Sequence, residues 1–129
     1  GRSWWSKYEV DYWGMATYHS LKYILAHDQR ELITIKPLQC INLDVSLKLL
    51  TKEERDRVRV LRDDASADYM LLNYIFMSPE QAQVWKKISS DYTVFHNIKV
   101  DGEPVISILK EDIPLVKNVV NGAALSYCP

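Results

Sequence analysis

The sequence is short of cysteine, glycine, proline, long apolar runs and charge of one sign, and each shortage removes a class of protein. Two cysteines, Cys40 and Cys128, make neither a disulfide framework nor a metal site by themselves. Reduced thiols and an intracellular location are therefore expected, with a single Cys40–Cys128 bridge as the alternative in a secreted chain. Four glycines and five prolines exclude a collagen-like or linker-rich chain. The longest apolar stretch, Tyr69 to Met77, is interrupted by Asn73. It has about half of the roughly 20 residues that cross a bilayer as a helix, so no membrane association is expected. Sixteen Lys+Arg against seventeen Asp+Glu give a net charge of −1, which argues against a surface that coats nucleic acid. GxGxxG, Walker A, GxSxG, HExxH and CxxC strings are all missing. That removes the motif argument for an enzyme, and no cofactor is expected.

What remains is 47% hydrophobic over 129 residues, enough for one compact domain and too much for a disordered chain. The domain is expected over 15–129, preceded by an aromatic N-terminal segment over 1–14. Gly1-Arg2-Ser3, with no Met, reads as a cloning remnant or a cut from a longer protein.

The first thirteen residues hold Trp4, Trp5, Tyr8, Tyr12 and Trp13, three of the four tryptophans in the chain. Helical spacing follows from Met15 to Arg30, and Leu32 to Lys36 reads as a strand. Ile41, Leu43, Val45, Leu47 and Leu49 alternate with polar residues, which predicts a strand, with a helix capped at Asp44 as its rival. Thr51-Lys52-Glu53-Glu54 is a capping box for a charged helix reaching about Arg62. Ala67 to Met77 reads as a central apolar helix. Ser78-Pro79-Glu80-Gln81 caps a further helix that buries Ala82, Trp85, Ile88 and Tyr92. Strands follow over Thr93 to Val100 and Val105 to Leu109, joined by Asp101-Gly102, and a last helix enters through Asp112 and Pro114 to stop at Gly122. The expected fold is α+β, with a small antiparallel sheet, including a C-terminal hairpin over 93–109, packed by about five helices.

Three function classes fit this organisation. The leading one is a non-catalytic interaction or regulatory domain that binds a protein partner or a second copy of itself. Trp4, Trp5 and Trp13 supply the residue type that dominates such contacts, against the simpler reading that they fold back over the sheet. Arg55, Arg59 and Arg62 fall within about 60° of one helical wheel if the charged helix runs to Arg62. They then offer guanidinium groups to an acidic or phosphate-bearing partner. The simpler reading is a solvated face laced by the i,i+4 pairs Lys52–Asp56, Glu53–Arg57 and Arg59–Asp63.

A second class is nucleic-acid binding by a winged-helix-like unit. Lys86 and Lys87 lie on its recognition helix and the Asp101-Gly102 turn forms its wing, although the acidic Asp101 and Glu103 at that tip count against it. A third is a small hydrolase. An uninterrupted hairpin sets His96 opposite Ser107, a base beside a nucleophile, or simply a buried imidazole hydrogen-bonded across the strands. His19 and His27 are about 12 Å apart along a helix rising about 1.5 Å per residue, too far to share a metal, and no metal site is expected.

Overall fold

The computed structural model describes residues 3–38, 41–62, 66–74 and 77–113, with side chains from position 15 onward. Its elements are α1 (Ser3–His27), β1 (Ile33–Pro37), α2 (Asp44–Leu49), α3 (Lys52–Asp56), β2 (Val58–Val60), β3 (Tyr69–Asn73), α4 (Pro79–Ser89), β4 (Thr93–Val100) and β5 (Glu103–Lys110). The strands form one sheet in the order β2-β1-β3-β5-β4. β1 pairs parallel with both β2 and β3, whereas β5 runs antiparallel to β3 and β4. The molecule is thus α+β, but its sheet is mixed rather than antiparallel, and four helices are described where about five were expected. The last expected helix lies outside the described residues beyond Ile113.

Alternate side chains of the central strands feed two separate cores. On one face Ile33 and Ile35, Tyr69 and Leu71, and Ile106 and Ile108 pack with Leu21, Ile24 and Leu25 of α1 and with Leu43 and Leu50 around α2. On the other, Met70, Leu72 and Leu109 meet Leu38 and the α4 residues Trp85 and Ile88. Helices on both faces leave every residue of β3 buried. This explains why Ala67 to Met77 reads as a helix in sequence: a strand covered on both sides loses its alternation, and period alone cannot separate it from a buried helix.

Residues 41–49 are the converse case. Their alternation suits a strand, yet 44–49 are helical, as the rival reading has it, although the cap position falls to Leu43, with no side-chain cap bond, and Asp44 stands in the first turn. Wound into a helix, Leu43, Leu47 and Leu50 form an inward file at i, i+4 and i+7, while Val45 and Leu49 form an outward one, 65% and 56% exposed. The Asn42 side chain accepts a 2.8 Å bond from the Asp44 N–H at the start of this helix.

The charged helix after Thr51 starts as its capping box predicts: the Thr51 side chain accepts from the Glu54 N–H and the Glu54 side chain from the Thr51 N–H. It does not reach Arg62. It ends at Asp56, and Val58-Arg59-Val60 joins the sheet beside β1. On the other side of the sheet, α4 is opened by Ser78 and Gln81 in a second capping box, with Pro79 in the first turn. It buries Trp85 and Ile88, leaving Ala82 and Tyr92 half-buried. Asp101 (φ 53°) and Gly102 (φ 80°) link β4 to β5.

Candidate interaction surface

α1 is one helix of 25 residues that runs without a break from the tryptophan-rich segment into the core. Ala16, Thr17, Ser20, Leu21, Ile24 and Leu25 are its buried side. Met15 is 45% exposed and His19 is exposed, which marks the opposite side as facing solvent. At about 100° per residue, positions 4, 8 and 12 continue the file of 15 and 19, and position 5 flanks it. Position 13 falls instead on the inward file with 17, 20 and 24. Trp4, Tyr8 and Tyr12 therefore stand in register with the solvent side of α1, Trp5 stands at its border, and Trp13 stands in register with the core side.

The C-terminal end of α1 is fixed by a polar latch. The Arg57 guanidinium, leaving the end of α3, donates to the carbonyls of Leu25, Asp28 and Arg30. The first two are carbonyl groups that a helix end otherwise leaves without partners, and the third lies in the segment that follows it. Arg30 Nη2 donates to Asp28 Oδ2 at 2.6 Å and Arg30 Nη1 to Asp68 Oδ1 at 3.1 Å. Asp68 Oδ2 in turn accepts from the Thr34 N–H and hydroxyl at 2.9 and 3.0 Å. The Tyr69 hydroxyl donates to Asp28 Oδ2 at 2.8 Å. The Arg30 bond holds the Asp28 carboxyl well below its ordinary range, with Tyr69 adding to it against the cost of burial. Burial first, then Asp28, pushes the Tyr69 phenol up to about 12. A 2.6 Å bond from Lys22 to Glu54 ties α1 to α3. This network occupies its charges internally and is built to hold α1 in place.

A second tie is aromatic. Tyr23 is sandwiched between His27 and His96, with ring centroids 3.9 and 3.8 Å away and interplanar angles of 17° and 5°. The His27 Nδ1–H donates to the Tyr23 carbonyl at 2.8 Å. Phe95 meets Tyr23 edge-on at 5.6 Å, so α1 is stacked against the edge strand β4.

His96 is consequently not beside Ser107. Register shifts between Val94 and His96 and between Ile98 and Lys99 slide the strands by one residue, so that His96 pairs with Ile108 and Asn97 with Ser107. A one-residue shift turns the side chain to the other face of the sheet. There, Ser107 Oγ donates to Asn97 Oδ1 at 2.6 Å and shares a 2.8 Å bond with the Tyr74 hydroxyl. The base and nucleophile expected from the sequence are thus on opposite faces, and Asn97 and Tyr74 are the partners that spacing alone missed.

The arginine stripe also dissolves. Arg55 Nη1 turns back on α2 and donates to the carbonyls of Leu47, Lys48 and Leu50. Arg59 is exposed on β2, and Arg62 is exposed beyond it. With the helix ended at Asp56, the three do not share a helical face. Lys86 and Lys87 are exposed on α4, but β5 is an internal strand between β3 and β4, so the β4–β5 pair is part of the main sheet and not a free wing. Among the described residues no group of three His, Cys, Asp or Glu is placed to hold a metal ion, and no helix is long and apolar enough to cross a membrane. Cys40 and Cys128 lie outside the described residues.

The strongest candidate surface is therefore the solvent side of α1, continued towards the chain's N-terminus by Tyr12, Tyr8 and Trp4. Comparison with protein-family models, with curated proteins and with solved structures returns no match.

Proposed function

We propose that this chain is a non-catalytic interaction module that binds a protein partner, or a second copy of itself, through the outward file of α1, with Trp4 in that file and Trp5 at its border. The observation that carries this reading is the continuity of α1. A helix that runs without a break from Ser3 to His27 gives the tryptophan segment no turn by which to fold back over the sheet, and exposed Met15 and His19 lie in file with positions 4, 8 and 12. Trp4, Trp5, Tyr8 and Tyr12 bring about 150–250 Å² of side-chain surface each. Their sum is of the order of the roughly 800 Å² that one partner buries in a standard interface. Tryptophan and tyrosine are also the residue types on which binding energy concentrates.

The test compares the parent chain with the Trp4→Ala/Trp5→Ala variant, measuring mass in solution by sedimentation over a range of concentrations, together with the melting temperature. Association is expected to weaken about 10-fold or more, as hot-spot truncations of about 2 kcal/mol imply, while the melting temperature barely moves. A fall of several degrees would make these residues part of the core and overturn the reading. So would a parent chain that shows no protein association yet binds neutral phospholipid vesicles, since tryptophan and tyrosine also favour that interface.

A further inference from the structure

We draw no further inference here: the strongest candidate, the buried side-chain N–H groups of Gln81 and Trp85 on the sheet-facing side of α4, which find no hydrogen-bond partner among the described residues, carries nothing because nothing in the structure shows what meets them.

Discussion

At the scale of single residues, Arg57 joins the end of α3 to the end of α1. In sequence it is one cation among several in a charged helix, paired with Glu53 at i,i+4. In the structure it is the residue at which that helix ends, and its guanidinium reaches the open end of α1. Replacing it with Met leaves carbonyl groups of the last turn of α1 without donors. Unfolding free energy measured in urea is expected to fall by about 1–3 kcal/mol. Arg57→Lys keeps a charge near the helix C-terminus but not the fork, and should recover only part of the loss.

The neighbouring carboxylate makes the latch sensitive to pH. Asp28 is held low in the folded chain, so its contribution is present above the ordinary Asp value of about 3.9 and is lost as pH falls through the folded value. The stability gap between the parent and Asp28→Asn should be widest near neutrality, begin to narrow near pH 4 and go on shrinking as pH falls towards the folded value. Arg30 is 55% exposed, which keeps that gap modest. Tyr69 acts at the other end of the scale. Its raised value means full stabilisation below about pH 10 and loss as pH rises through about 12, a loss that Tyr69→Phe should abolish in alkaline unfolding curves. The Arg57 and Tyr69 roles are not legible in the sequence, because their partners come from a distant part of the chain brought close only by the fold, whereas the Asp28–Arg30 bond spans just two residues.

At the scale of elements, legibility depends on whether the signal is local. The capping boxes at Thr51 and Ser78 name backbone groups within four residues, and both helices begin where those boxes predict. Helix ends are less local. The charged helix stops at Asp56 because Val58 and Val60 pack against the α1-side core and Arg57 is drawn to α1, and no residue in the run announces either event. Apolar spacing misleads in both directions, since residues 41–49 satisfy two helical files with a period-two pattern and β3 is too deeply buried to keep one.

The turn between β4 and β5 separates conformation from space. Gly102 has a φ of 80° and nothing within 4 Å of where a Cβ would stand. Gly102→Ala should therefore cost about 1 kcal/mol through backbone strain alone, while Asp101→Asn, at a φ of 53°, should be nearly neutral because Asn tolerates the left-handed region. Thermal unfolding of the two variants checks this. A loss at Asp101→Asn as large as that at Gly102→Ala would mean that the Asp101 carboxylate, besides the backbone, holds the turn.

At the scale of the whole molecule, the least legible feature is the pairing of parallel strands. β1 reaches β2 through α2 and α3, and the chain then crosses to β3 on the other side of β1. Such contacts are set by which faces are covered on both sides rather than by any short motif. The candidate surface is the reverse. Its aromatic residues are conspicuous in the sequence, and the structure adds the register that separates positions 4 and 5 from position 13.

One ion pair shows what assembling two cores around one sheet costs. Lys36 lies on the α4 side of β1, its side chain 7% exposed, and its Nζ donates at 3.0 Å to Oε2 of Glu111, whose side chain is fully buried beyond β5. The other Glu111 oxygen accepts from the Ala67 N–H at 2.6 Å, so this carboxylate joins β1, the approach to β3 and the end of β5. Desolvating both charges cancels much of their attraction, and the intact pair adds little net stability. Removing one partner is another matter, because Lys36→Met takes the Lys36 ammonium away from a carboxylate that stays buried. Lys36→Met is expected to lower stability by about 3–5 kcal/mol. Adding Glu111→Gln removes the buried charge and keeps a carbonyl oxygen for the Ala67 N–H. The double variant should therefore be more stable than Lys36→Met alone, and a double-mutant cycle in urea should give a coupling well above 0.5 kcal/mol. If the two substitutions simply add, the pair is not what joins these three strands, and the apolar layer under α4 holds that face of the sheet unaided.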